Sequence, residues 1–294
     1  MVENLFVTTT WLAENLNRPD VRVIDIRGRV LPASEPLPHY FSHNDDYLKS
    51  HIPGAVFVDW TTDIVEPDSP TYDVANPERY AQLMSRLGID QGVQVIAYDD
   101  AGGMLAARLW WTLNYFGHTA VAVLDGGWQK WLSEDRPVDA EIPQIIPRTF
   151  SARINPQWRA DVTDVQAEGV VLLDVRSVAE FNGETSRARR RGHIPGAVNL
   201  PRKQMLTDTG ELLPLNELKA RLQSSGIPLE HRPGHAETDV IIYCNSGVSA
   251  SFGLMALRAV GYQGGRVYDS SWKEWGNRDN LPIVGVDLTD SDSA

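Results

Sequence analysis

One cysteine occurs in the 294 residues. It stands where an apolar run gives way to a loop of small residues: Asp239-Val-Ile-Ile-Tyr-Cys244-Asn-Ser-Gly-Val-Ser-Ala-Ser251. A lone thiol is more often buried filler than a reagent, so its surroundings decide. Val240 to Tyr243 is short, bounded and rich in β-branched and aromatic residues, which predicts a buried strand. Cys244 would then lie at the strand's carboxyl end, the edge where α/β sheets bind ligands. The apolar stretch Phe252 to Val260 reads as a helix whose N-terminus points back at the sulfur, and Gly247 permits a tight turn between the two. Helix-terminal N–H groups and the helix dipole stabilise an anion there, which is what a nucleophilic thiolate needs. The amides of Ser246, Gly247, Val248, Ser249 and Ala250 can form an anion-binding nest. Asn245, Ser246 and Ser249 add neutral groups able to hydrogen-bond a substrate. Ordinary loop polarity would explain the same residues, with Ser249 a candidate helix N-cap.

Composition narrows the partners. The formal net charge is −12 and 42% of residues are hydrophobic, enough for substantial cores. An acidic chain repels nucleic-acid phosphates and anionic membrane surfaces, so neither is an expected partner. A single cysteine excludes an internal disulfide framework and suits a reducing compartment. The first residues lack a basic segment followed by an apolar one, and no apolar stretch approaches ~20 residues. A cytoplasmic protein without a membrane span is expected.

The chain repeats itself. Val23-Ile-Asp25-Ile-Arg27 returns as Leu172-Leu-Asp174-Val-Arg176, and His51-Ile-Pro-Gly-Ala-Val56 as His193-Ile-Pro-Gly-Ala-Val198. Val95-Ile-Ala-Tyr98-Asp99 matches Ile241-Ile-Tyr243-Cys244, and Leu124-Asp-Gly-Gly-Trp128-Gln-Lys-Trp131 matches Tyr268-Asp-Ser-Ser-Trp272-Lys-Glu-Trp275. The offsets are 174−25 = 149, 193−51 = 142, 244−99 = 145 and 272−128 = 144. A period this long means duplicated domains. Each copy alternates short apolar runs with helical patterns (Asp73 to Leu87 before Val93 to Tyr98; Asn216 to Ser224 before Val240 to Tyr243). That alternation predicts α/β domains, each a mainly parallel sheet with helices on both faces. The expected boundaries are 1–137 for the first domain, 138–158 for a proline-punctuated surface linker, and 159–288 for the second. The small polar tail Thr289 to Ala294 is expected to be mobile.

With these residues in view, the chain resembles the tandem-domain rhodanese sulfurtransferases over almost its whole length. Tyr47-x3-His51-Ile-Pro-Gly-Ala-x2-Val58 fits the family's N-terminal signature, and Tyr268-Asp-Ser-Ser-Trp272-Lys-Glu-Trp275 resembles the C-terminal one, with Ser270 in place of its usual glycine. The resemblance implies two rhodanese-like domains, a persulfide-forming Cys244 in the second, and a degenerate first domain where Asp99 replaces the nucleophile. It implies double displacement: a donor's sulfane sulfur passes to Cys244, then to cyanide or a thiol, with no cofactor and no metal. His51 and His193 sit in the same turn of both copies, so structural histidines are expected.

The donor is less sharply marked. A neutral Ser246 two positions after the cysteine is closer to the mercaptopyruvate-type loop than to the thiosulfate type, which usually has a cation there. Yet Glu180 stands where both types commonly have a donor-binding arginine. The run Arg187, Arg189, Arg190, Arg191 could supply the missing charge, with Arg187 and Arg189 the candidates; a solvated charged loop is the alternative for most of them. The balance favours thiosulfate, with 3-mercaptopyruvate as runner-up. A protein-to-protein persulfide carrier is a third reading. A related cysteine phosphatase is disfavoured because Ala250 and Ser251, not an arginine, stand where such a loop must clamp phosphate.

Overall fold

Strands form where β-branched and aromatic residues run together, and they form twice. The structure is a computed structural model describing residues 5–229 and 238–285; the tail Thr289 to Ala294 lies outside them. The first half runs β1 (Phe6–Val7), α1 (Thr9–Asn15), β2 (Val21–Asp25), the hairpin β3 (Gly28–Val30) and β4 (Tyr40–Ser42), α2 (Asn44–Lys49), β5 (Val56–Phe57), α3 (Pro77–Arg86), β6 (Gln94–Tyr98), α4 (Met104–Tyr115), β7 (Val121–Leu124) and α5 (Gly127–Ser133). The second runs β8 (Arg159–Ala160), α6 (Val162–Val165), β9 (Val171–Asp174), α7 (Val178–Phe181), β10 (Val198–Asn199), α8 (Leu215–Ser224), β11 (Val240–Tyr243), α9 (Val248–Ala259), β12 (Arg266–Tyr268) and α10 (Ser271–Trp275). Each half builds a five-stranded sheet, in the order β1-β7-β6-β2-β5 and the matching order β8-β12-β11-β9-β10. Every pair in both sheets is parallel.

Strand alternation distributes side chains to two faces. In β6, Ile96 and Tyr98 join Leu12, Trp128 and Trp131 of α1 and α5, while Val95 and Ala97 join Tyr80 and Met84 of α3 and the residues of α4. In β11, Ile241 and Tyr243 meet Val165, Trp272 and Trp275, and Val240 and Ile242 meet Leu218, Leu222 and α9. Both sheets are therefore covered on both faces, as the repeat predicts. Helices α4 and α9 pack on one another and join the two domains in one core. All twelve residues of α4 are buried, which explains why it lacks a polar stripe. Helix α9 also lies close on its sheet: a Cβ at Gly253 would meet Ile242 Cγ2 at 2.9 Å.

The four repeated landmarks converge on one lock in each domain. Asp25 receives Arg27 at 2.8 Å and Asp174 receives Arg176 at 2.6 Å. Arg27 Nη2 reaches Ser50 O and Arg176 Nη2 reaches Gly192 O, the carbonyls preceding His51 and His193. The amides of Ile52 and Ile194 donate to the Tyr98 and Tyr243 hydroxyls, each at 3.2 Å. Arg27 lies 4.3 Å over Trp128 and Arg176 4.5 Å over Trp272. His51 and His193 bond backbone carbonyls through Nδ1 and stack on Tyr47 and Phe181, so both are structural. The repeat thus records a set of buried charge and hydrogen-bond partners that cannot be changed singly.

Several boundaries differ from the sequence expectation. Helix α3 starts at Pro77 rather than Asp73, because Asn76 caps it by accepting from Arg79 N at 3.0 Å. Helix α9 starts at Val248, not Phe252, with Gly247 as its N-cap at φ +73°. Ser249 is therefore not the cap; its hydroxyl contacts Met104 Sδ across the domain boundary at 3.1 Å. The segment after α5 crosses the first domain in extended form, bonding Asp139 to His51, Arg148 to Ser85 and Arg153 to Phe116. Among the described residues no helix is long and apolar enough to cross a membrane.

Candidate active site

Cys244 lies at the carboxyl end of β11, on the floor of a cleft of about 500 Å³ that includes residues of both domains. Two insertions build its walls. Between the Asp-x-Arg and His-Ile-Pro-Gly landmarks the first domain carries the β3–β4 hairpin, supplying Val30, Leu31, Pro32 and Tyr40. In the second domain a longer loop separates Phe181 from His193 and supplies Thr185 and Arg187. The two meet where Arg187 Nη2 donates to Leu31 O.

The cysteine loop is held from below. Ser271 Oγ accepts from Cys244 N at 3.1 Å and Gly247 N at 3.2 Å, and donates to Tyr268 O at 2.6 Å. Ser271 adopts φ +53°, a left-handed conformation that costs a non-glycine residue ~1 kcal/mol or more. Gly247 is required twice, for its positive φ and because a Cβ there would meet Asp269 Oδ1 at 2.6 Å. That Asp269 is buried and paired with Arg108 of α4 at 2.7 Å, and its other oxygen accepts from Val74 N at 2.9 Å. Ser270, the residue in the usual glycine's place, has φ −66° and no strain. Its hydroxyl donates to Asp73 Oδ1 of the first domain at 2.6 Å.

The first domain displays what such a loop does with an anion. Asp99, at the position of Cys244, is fully buried. Its oxygens accept from Ala101 N at 2.9 Å, Gly103 N at 2.9 Å, Leu105 N at 2.6 Å and Ala106 N at 2.9 Å. Trp128 N bonds Asp99 O just as Trp272 N bonds Cys244 O, so the two loops correspond. Burial nevertheless raises the Asp99 carboxyl above its ordinary range, outweighing the amides. Around Cys244, the amides of Ser246, Val248, Ser249 and Ala250 have no acceptor among the described residues. Four of the sequence-nominated residues, Asn245, Ser246, Val248 and Ser249, line the cleft with Cys244; Gly247 and Ala250 do not.

The two nominated arginines part company. Arg187 lines the cleft and is nearly buried, paired with Glu180 Oε1 at 2.7 Å. Its Nε is buried and has no hydrogen-bond partner among the described residues. Glu180 also accepts from Asn245 Nδ2 at 2.7 Å and Ser177 Oγ at 2.8 Å. Burial would raise its carboxyl, but Arg187 and the two donors outweigh that and hold it below the ordinary range. Arg189 does not reach the cleft: it is exposed and paired with Asp279. Arg190 is spent on the carbonyls of Trp275 and Leu281.

Sequence reasoning missed Ser271, Tyr40, Lys273 and Arg202. Tyr40 sits 3.4 Å from Ser246 Oγ, and burial pushes its hydroxyl up to about 12. Lys273 donates its amide to Asn245 O, and its ammonium lies 3.9 Å over Tyr72 and 4.6 Å over Tyr40. Burial first, then repulsion from Arg187, lowers it to about 8. The signal for Ser271 was in the repeat, where a serine replaces Gly127; Tyr40 and Arg202 approach only through the tertiary fold.

The rhodanese-like domain family matches residues 8–134 and 160–278. The 3-mercaptopyruvate sulfurtransferase of Escherichia coli K12 is 34% identical over 96% of this chain and 98% of its own length. A thiosulfate sulfurtransferase of Corynebacterium glutamicum is 30% identical over 94% and 89%. The crystal structure of a 3-mercaptopyruvate sulfurtransferase from Escherichia coli superposes with a TM-score of 0.79 at 33% identity, over 92% of this chain and 99% of that one. Two equivalent parallel sheets, matched loops and these likenesses agree: the chain belongs to the rhodanese family and is a tandem-domain sulfurtransferase.

Proposed function

We propose that the protein transfers sulfane sulfur from thiosulfate to cyanide or a thiol through a persulfide on Cys244. The Cys244 thiolate attacks the outer sulfur of thiosulfate; a new S–S bond forms as the donor's own S–S bond breaks, and sulfite leaves with the electron pair. The acceptor then attacks the terminal sulfur of Cys244-S-S⁻, and the thiolate departs with its electrons. Both intermediates are anions. The observation that carries this reading is Asp99, whose carboxylate accepts four loop amides where the second domain has Cys244 and amides with no acceptor among the described residues. Asn245, Ser246, Val248 and Ser249 surround the donor, Gly247 and Ala250 shape the turn, and Arg187 adds positive potential reduced by Glu180. Such a thiolate cycle suits a reducing compartment such as the cytoplasm.

3-Mercaptopyruvate is the alternative donor, favoured by the neutral Ser246 beside the thiol and by the Escherichia coli relative. Cys244→Ser is expected to abolish transfer at unchanged thermal stability, and mass spectrometry of the wild type after donor is expected to show a gain of about 32 Da on Cys244. Activity retained in Cys244→Ser refutes the mechanism. A tenfold preference for 3-mercaptopyruvate over thiosulfate, with cyanide as acceptor, reverses the choice of donor.

A further inference from the structure

The cleft is lined by Arg176, Arg187, Arg202 and Lys203, whose charges have different fates. Arg176 is committed to Asp174 at 2.6 Å, and Arg187 to Glu180 at 2.7 Å. Lys203 is exposed. Arg202 makes no ion pair among the described residues. Its backbone is fixed by Arg202 N to Val175 O at 3.1 Å, next to the Asp174–Arg176 lock. Its Nη1 donates to Gly102 O of the Asp99 loop at 3.1 Å, and its guanidinium lies 5.6 Å from the ring centre of Phe252, on α9. Burial lowers its guanidinium from the ordinary value, and Asp99 is the carboxylate that opposes this; both Asp99 oxygens are already taken by amides. Nε and Nη2 donate to no described group, so part of a planar fork suited to an oxyanion is unused on the wall of the cleft that holds the thiol.

We propose that Arg202 binds the anionic end of the sulfur donor, sulfonate or carboxylate, while the Cys244 thiolate attacks its transferable sulfur: from thiosulfate the S–S bond breaks and sulfite leaves with the electron pair, and from 3-mercaptopyruvate the C–S bond breaks and pyruvate leaves as its enolate, which takes up the thiol proton. This rests on the persulfide reading above. It accounts for a chain that has Glu180 among its cleft residues and an arginine, Arg187, neutralised by it. Arg202 brings to the cleft a guanidinium with no ion pair among the described residues, its backbone bonded to the second domain and its Nη1 to the first.

The test compares Arg202→Gln and Arg202→Lys with the wild type, using thiosulfate and 3-mercaptopyruvate in turn and saturating cyanide. Arg202→Gln is expected to raise KM at least tenfold for one or both donors with kcat within threefold. A rise confined to one donor assigns the subsite to sulfonate or to carboxylate. Arg202→Lys is expected to recover part of the KM, since charge is kept and the fork lost. Alkylation of Cys244 by neutral iodoacetamide is expected to be unchanged in both variants. An unchanged KM for both donors, or a fall in kcat or in alkylation rate at constant KM, overturns the proposal; the second pattern means that Arg202 only braces the two domains. Failure here leaves Cys244 untouched, whereas an active Cys244→Ser sinks the mechanism whatever Arg202 does.

Discussion

Ser271 holds the cysteine loop through a single oxygen, and its removal separates two contributions that usually move together. In Ser271→Ala, the amides of Cys244 and Gly247 lose their acceptor at 3.1 and 3.2 Å, and Tyr268 O loses a donor at 2.6 Å. A buried amide left unpaired costs ~1–3 kcal/mol, so a loss of about 2–6 kcal/mol is expected for the pair. Ser271→Gly loses the same hydrogen bonds but relaxes the backbone at φ +53°, and is expected to be about 1 kcal/mol more stable than the alanine variant. The first domain already has this arrangement, with Gly127 at φ +54° beside a loop held by Asp99. Chemistry follows the hydrogen bonds rather than the stability. Both variants are expected to lose turnover about equally, on the order of tenfold, because the thiol and the amides around it are no longer fixed. Urea unfolding gives the stabilities, and thiocyanate formation from thiosulfate and cyanide gives the turnover. Wild-type turnover in Ser271→Ala, or an activity that tracks stability across the two variants, refutes the idea that this hydroxyl positions the thiol.

Two other perturbations probe the domains from opposite sides. Asp99→Ala strands four amides, two of them buried, and is expected to cost about 3 kcal/mol or more while leaving kcat at saturating donor within twofold; a large fall in kcat at normal stability would show that the first domain takes part in the chemistry. Lys273 is charged below pH about 8, so wild-type turnover is expected to carry an alkaline limb near that pH that Lys273→Met lacks. The sign for stability is opposite to a salt bridge: the folded form releases this proton near 8 and the unfolded form near 10.5, so the wild type gains stability relative to Lys273→Met as pH rises between them. A gap between the two that is flat across this window would show that the ammonium is not desolvated.

The linear chain carried the duplication, the sheet strands and the thiol at a strand's carboxyl end. Local chemistry is enough for these: β-branched runs mark β6 and β11, and glycine marks the turn at Gly247. Asp-x-Arg, His-Ile-Pro-Gly-Ala, the strand-end tyrosine and the tryptophan repeat because they contact one another, which makes them visible as a pattern before their contacts are known. The helix start at Val248 was missed because polar Ser249 and Ser251 mask an apolar stretch buried between domains. Which charges reach the cleft was decided by folding alone. Arg187 and Arg189 are two residues apart, yet one is buried against Glu180 and the other faces solvent with Asp279. Arg202 and Tyr40 join Cys244 from positions 42 and 204 residues away along the chain. Periodicity reports which face a side chain takes within its own element; the sign and number of unpaired charges in a shared cleft depend on partners brought together only when two domains close on each other.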